Sequence, residues 1–221
     1  MKTSPATVLL IMLAFTSCRA DEPTVMPPDF EVNGKGAGEY SADWWMWAMS
    51  SHAKVNPVRD LTGEHCAVGQ SGDVWFLAGG FGSSTIERTC TVPRGKYLFF
   101  PAVNMAFWPQ YDNMTYTCKE ARASAAVSND SALNISVTIN GRAVKNTKKH
   151  RASTTHCFNI YERVPEEIGA YNAFPSASDG YWYMIAPLPT GTYELAFGGQ
   201  YGSPGDRGGM VQDIKYTLII E

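Results

Sequence analysis

Two aromatic groups in the sequence have the residue types that recognise sugars and other ring-bearing ligands. The first is Asp43-Trp44-Trp45-Met46-Trp47-Ala48-Met49-Ser50, which places three of the chain's six tryptophans within four positions. Successive residues of a helix turn by about 100°, so Tyr40, Trp44 and Trp47 share one side while Trp45 and Met49 fall nearly opposite. Such a helix is apolar all round, and a sheet under Trp44 leaves Trp45 to be covered by something else. The chain's own loops, a sugar, a surface polymer or another subunit would each serve. An aromatic side chain buries roughly 150–250 Å2 when covered, so a ring left wet forfeits on the order of several kcal/mol.

The second group, Asn104-Met105-Ala106-Phe107-Trp108-Pro109-Gln110-Tyr111-Asp112-Asn113, reads as a loop. Its rings alternate with amides and a carboxylate, the mixture that stacks on a sugar face and bonds its hydroxyls. The candidate ligand-binding residues are therefore Trp45, Asn104, Trp108, Gln110, Tyr111 and Asp112. A third cluster, Asp179-Gly180-Tyr181-Trp182-Tyr183, opens a strand pattern and is read as sheet packing.

Catalytic patterns are weaker. Asp60-Leu61-Thr62-Gly63 has one residue too many for an aspartic-protease turn and occurs once, so it reads as a turn. Gly80-Phe81-Gly82 completes no dinucleotide fingerprint, and the chain has no G-x-S-x-G elbow. Glu39, Asp43, Asp112, Asp179 and Asp206 could supply paired carboxylates for glycoside hydrolysis, but the sequence sets no separation between them. The run Lys145 to Arg151 concentrates positive charge after Asn140-Gly141 and reads as a solvated loop, with an acidic polysaccharide as the alternative contact. The Gly-rich stretch 198–209, with Asp206 and Arg207, is a sandwich-end connection with a weak calcium signal. No cofactor is expected.

Lys2 followed by the apolar run Val8–Phe15 fits a secretory signal over residues 1–20 and is too short to span a bilayer. One exit places a lipid anchor at Cys18, which would be the only membrane attachment; the other is an ordinary cut before Asp21. Either leaves Cys66, Cys90, Cys118 and Cys157, an even number in an exported chain. Three pairings exist, and Cys66 with Cys90 and Cys118 with Cys157 closes the shorter loops. A zinc site built from Cys66, Cys157, His65 and His156 lacks a C-x-x-C spacing, so no metal is expected. Acceptor sequons begin at Asn113, Asn129 and Asn134. A net charge of −3 with 18% charged residues argues against a nucleic-acid partner.

These groups need a frame to hold them. Residues 21–38 read as a tether with a short strand at Phe30–Val32, and residues 39–221 as a single domain. A helix is expected from Ser41, as N-cap, through Ser51. Val74–Ala78 and Leu98–Phe100 are continuous apolar runs, as strands buried on both faces would be. Ile86–Val92 and Tyr97–Val103 suggest a hairpin around Pro93–Lys96, and residues 115–128 a second helix. Leu133, Ile135, Val137 and Ile139 alternate with polar residues up to a tight Asn140-Gly141 turn. Further strands are expected at 154–161, 181–186, 191–197 and 213–220. Many short strands with Gly/Pro-rich turns and two short helices define an all-β antiparallel β-sandwich of jelly-roll or Greek-key type, with α+β as the alternative.

The pattern Asp60-x-Thr62-Gly63-x-x-Cys66-x-x-Gly69-Gln70-x-Gly72-x-Val74-Trp75-Phe76-Leu77-Ala78-Gly79, then Arg88-Thr89-Cys90-x-Val92-Pro93-x-Gly95-Lys96, resembles that of exported proteins of unassigned function. The resemblance extends to Gly180-Tyr181-Trp182 and Pro189-x-Gly191-Thr192-Tyr193 and implies no activity. The expectation is a secreted or cell-envelope, disulfide-stabilised binding protein that recognises carbohydrate or another extracellular or envelope component through aromatic loop residues. A structural or assembly subunit of a surface complex, and a secreted carbohydrate-active hydrolase or lyase, are the alternatives.

Overall fold

The alternating runs in the second half of the chain become half-buried strands, and the continuous apolar runs in the first half become strands covered on both faces. The computed structural model describes residues 23–111, 113–202 and 209–221. The expected signal peptide with Cys18, and Asp112, Asp206 and Arg207, lie outside the described residues. In chain order the elements are α1 (Ala37–Met49), β1 (Val74–Phe76), β2 (Ser84–Val92), β3 (Tyr97–Phe107), α2 (Cys118–Asp130), β4 (Ala132–Ile139), β5 (Arg142–Ala143), β6 (Arg151–Ser153), β7 (Ala177–Ile185), β8 (Gly191–Tyr201) and β9 (Val211–Ile220).

The strands form a two-sheet β-sandwich, one sheet in the order β1-β3-β7-β6 and the other β2-β9-β8-β4-β5. Most pairs are antiparallel, but β1 runs parallel to β3 and β2 parallel to β9. Leu98, Phe100, Tyr183 and Ile185 of the first sheet meet Val137, Leu195, Phe197, Ile214 and Leu218 of the second in the inter-sheet core. The outer face of the first sheet carries a second core, in which Phe99, Trp182 and Met184 pack against the rings of α1. This double covering is why β3 and β7 show no polar alternation.

The expected hairpin around Pro93–Lys96 is not formed. β2 and β3 belong to different sheets, and the turn carries the chain across the sandwich. Glu221 and Val92 explain the choice. β2 takes β9 as its partner over its whole length, and the pairing continues as Glu221 N–H donates to the Val92 carbonyl at 3.1 Å and Arg94 N–H to the Glu221 carbonyl at 2.7 Å. The Asn140-Gly141 turn does form a two-residue hairpin between β4 and β5, with φ of 48° and 75°, the left-handed pair that such a turn requires.

Ser41 does not cap α1. The helix starts a turn earlier, at Ala37, where the Glu39 carboxylate accepts from Gly36 N–H at 3.2 Å. Ser41 lies inside the helix, buried, and its hydroxyl donates to the Gly38 carbonyl at 2.7 Å. The strand expected at 154–161 reduces to one bridge, Phe158 with Ser176, further along the edge that β6 pairs with at Asp179–Tyr181. Of residues 21–38, read as a tether with a short strand, the described part up to 36 lies against the sandwich, and Ala37 and Gly38 already belong to α1. Val25 bridges Ile185, Met26 N–H donates to the Met184 carbonyl at 2.8 Å, and Phe30 and Val32 are buried.

Both disulfides pair as expected, with Cα–Cα separations of 6.0 Å for Cys66–Cys90 and 5.7 Å for Cys118–Cys157. The first fastens the 56–70 segment to β2, and the second fastens the start of α2 to the segment after β6. All four sulfurs are thereby removed from metal ligation. Arg88 adds a polar clasp beside the first bridge. Its buried guanidinium donates to the carbonyls of Asp60 at 2.8 Å, Ala78 at 2.9 Å and Gly79 at 2.9 Å, and to the Tyr216 hydroxyl at 3.1 Å. Gly63 allows this close docking. Its φ is +93°, and a β-carbon there would collide with the backbone of Thr89.

Candidate functional site, an aromatic cleft beside helix α1

The three clustered tryptophans have different fates because the helix points them in different directions. Trp44 Nε1 donates to the Leu77 carbonyl at 2.9 Å, and Trp47 Nε1 to the Val68 carbonyl at 2.8 Å. Both are 2% exposed, and Trp44 stands edge-on to Trp182 at 5.6 Å. Trp45 stands edge-on to Trp44 at 5.2 Å and is 8% exposed, but its buried Nε1 meets no acceptor among the described residues.

Trp45 and Met49 line a cleft of about 670 Å3, within the size range of small-molecule sites. Met105, Ala106 and Phe107, at the end of β3, line it as well. These three residues are strand rather than loop, because β3 keeps pairing with β7 as far as Phe107 opposite Ala177. The loop begins only at Trp108, which lines the cleft together with Gln110 and Tyr116. Phe107 and Tyr116 close the base of that loop edge-on at 5.0 Å. Behind it, Tyr161 meets Trp108 edge-on at 6.5 Å, and the Tyr171 hydroxyl donates to the Pro109 carbonyl at 2.7 Å.

α2 supplies Ser124, Val127 and Ser128, whose spacing puts them on one helix face. The helix is set in place by Thr117, whose hydroxyl accepts from Glu120 N–H at 3.3 Å while the Glu120 carboxylate accepts from Thr117 N–H at 2.8 Å. Ala121 and Ala125, on the adjoining face of the helix, are buried near Ala177, so their small side chains let the helix approach β7 closely. Phe81, 47% exposed in the Gly-rich stretch after β1, completes the lining.

The cleft thus brings together Trp45, Trp108 and Gln110 from distant parts of the chain. Asn104 sits elsewhere, half-buried where the β3–β7 register shifts, with its Nδ2 unpartnered among the described residues. A β-carbon on Gly180 would lie 2.7 Å from the Asn104 β-carbon and 2.9 Å from Trp182 Nε1, so only glycine fits beside it. Tyr111 is 66% exposed and does not line the cleft. Met49, Phe81, Met105, Tyr116 and the α2 face lie outside the sequence expectation. The α2 face carried a legible signal, its i, i+3, i+4 spacing, but nothing in the sequence says what that face opposes.

No charged side chain occurs among the described residues lining the cleft. Of the carboxylates weighed for hydrolysis, the described ones, Glu39, Asp43 and Asp179, are engaged elsewhere. Glu39 caps α1 and accepts from the Thr155 hydroxyl at 2.8 Å, and that bond holds its carboxyl below its ordinary value. Asp43 bridges Lys35 at 2.8 Å and Arg163 at 2.5 Å. Asp179 is buried, bonded to Ser153 and paired with Arg151 at 3.0 Å; burial raises its pKa, opposed by those partners. The Asp60 turn is structural: burial pushes its carboxyl up, but N–H groups of His65 and Thr62, at 2.9 and 2.8 Å, hold it below its ordinary value. Of the sequons, Asn129 is fully buried and donates to the Asp179 carbonyl at 2.9 Å, while Asn113 and Asn134 are exposed.

Comparison of the chain with protein-family models, with curated proteins and with solved structures finds no match. The reading of the site therefore rests on its own geometry.

Proposed function

We propose that the chain is an exported, disulfide-stabilised binding protein that recognises a carbohydrate component of the cell envelope or its surroundings in the aromatic cleft. The observation that carries this reading is the meeting of Trp45 and Trp108 with Gln110 in one cavity large enough for a sugar unit. Ring faces stack on the C–H faces of a saccharide, and an amide and two serine hydroxyls offer both donors and acceptors. Export is supported by the N-terminal apolar run and by two disulfides, which persist in oxidising compartments. Among the described residues no helix is long and apolar enough to cross a membrane.

Engagement of Glu39, Asp43 and Asp179 away from the cleft favours binding over two-carboxylate hydrolysis. The second reading is an assembly subunit whose partner inserts an apolar side chain into the same cleft, favoured by the exposure of Phe81 and of Val127 at 67%. A glycan array probed with wild type and Trp108→Ala, together with a mass measurement in solution, separates the two. Glycan signal lost in the variant supports the first reading. A stable oligomer of wild type that Trp108→Ala dissociates, with no glycan signal, replaces it with the second.

A further inference from the structure

Charge is unevenly spread along the chain. Five of its 18 basic residues, Arg142, Lys145, Lys148, Lys149 and Arg151, and none of its 21 acidic ones, fall within residues 142–151. Arg151 is committed to Asp130 and Asp179. Lys145, Lys148 and Lys149 are exposed, form no ion pair among the described residues and do not line the aromatic cleft. From these three lysines we infer a second binding surface, separate from the cleft, that takes an acidic polysaccharide bearing uronate or sulfate groups.

The fold makes this run a fixed feature. β5 is the last strand of one sheet and β6 the last strand of the other, so the connection between them lies along one side of the sandwich. A single helical turn forms there at Thr147–His150, closed by Lys149 N–H donating to the Asn146 carbonyl at 2.9 Å. Both sheets hold it. Val144 N–H donates to the Val137 carbonyl of β4 at 2.9 Å, the Tyr183 hydroxyl of β7 donates to the Thr147 carbonyl at 3.0 Å, and His150 is buried against the Tyr183 ring. A backbone anchored at these points has little ordering left to lose on binding. The packing also supplies no counter-charge, because β4 carries no acidic residue and the one on β7, Asp179, is paired with Arg151. Lysines on an edge strand deter unwanted strand pairing, but Lys145, Lys148 and Lys149 lie between strands, where there is no edge to protect. An anionic bilayer offers the same charge, yet stable attachment to one needs a second, apolar signal, and no large apolar side chain is exposed between residues 140 and 151. A polysaccharide needs only anionic groups spaced along its chain.

The test measures binding of the full mature chain to polygalacturonate, dextran sulfate, uncharged dextran and phosphatidylglycerol vesicles at about 50 and about 200 mM salt. Binding to at least one of the two polyanions is expected, weakening roughly tenfold or more between the two salt levels because each engaged cation releases a counterion. Combined Lys145→Gln, Lys148→Gln and Lys149→Gln is expected to lower that affinity about tenfold or more at low salt. A control with Lys54→Gln, Arg94→Gln and Lys119→Gln changes the charge equally at exposed positions elsewhere and is expected to stay within about twofold of wild type. Equal loss in the two triple variants makes the attraction one of diffuse charge and overturns the inference. So do unchanged affinity in the first variant, salt-insensitive binding, and no binding to either polyanion. Vesicles bound as tightly as the better polyanion hand the surface to a lipid bilayer and overturn it as well. None of the six substituted positions lines the cleft, so this surface stands or falls apart from the carbohydrate reading of the cleft.

Discussion

The two sides of α1 place the same residue type in different surroundings. On the sheet side, Trp44 and Trp47 are packed edge-on, covered and hydrogen-bonded to backbone carbonyls, so they meet every physical demand of a buried indole. On the other side, Trp45 is nearly as buried, but its nitrogen has no acceptor among the described residues and its side chain lines a cavity. The difference shows that similar burial can hide different surroundings: two indoles have backbone acceptors, while the third has none among the described residues and borders a cavity.

The comparison breaks first on stability. Trp47→Ala is expected to cost about 3–5 kcal/mol, the range for deleting a buried aromatic side chain, measured by denaturant unfolding. A loss similar to that of a surface substitution would mean that the closed side is not the keystone of the second core. Trp108→Ala is expected to lower ligand affinity about tenfold or more and to change unfolding much less than Trp47→Ala. Equal destabilisation by the two would erase the distinction between the sides.

A smaller effect is expected at Thr117. Loss of the cap in Thr117→Ala costs about 1 kcal/mol and loosens the helix that carries Ser124 and Ser128, so affinity falls together with stability. Hydrogen exchange confined to α2 would locate it.

The pH dependence should divide along the same line. His150 is buried and stacked on Tyr183 at 4.5 Å, and burial lowers its pKa below the ordinary 6.5. The unfolded chain therefore takes up that proton more readily. The stability it supports is complete above pH 6.5 and declines as the pH falls through the lowered folded value. His150→Phe is expected to flatten that part of the stability profile. Ligand affinity should stay level over about pH 5–8, because no histidine is among the described residues that line the cleft. Smallest of all, Val127→Asp should leave stability within about 0.5 kcal/mol of wild type at this exposed position, while the ligand of the cleft binds more weakly.

Much of the frame was legible because local pattern and burial agree. The alternation of Ile135, Val137 and Ile139 sets which face of β4 is core, although Leu133, expected with them, is exposed where the β4–β8 register shifts; the Asn140-Gly141 pair sets the turn, and the even cysteines with short loops set the disulfides. The Pro93–Lys96 turn was misread because a turn between two strands looks the same in sequence whether the strands pair or part. Only the competing partner β9, more than a hundred residues away, decides. The cleft was half legible. Trp45 stood out by helical angle and Trp108 by its setting, but Asn104 and Tyr111 stood beside them in sequence and lie elsewhere in space.

By itself the sequence determined the strand faces, the helical character of the tryptophan segment and the sulfur bridges, since these follow from periods of 2 and 3.6 and from loop closure. Which strands share a sheet, which indole finds a carbonyl and which side chains meet across a cavity were decided only by tertiary structure. Those outcomes depend on partners distant along the chain, whose approach no local pattern encodes.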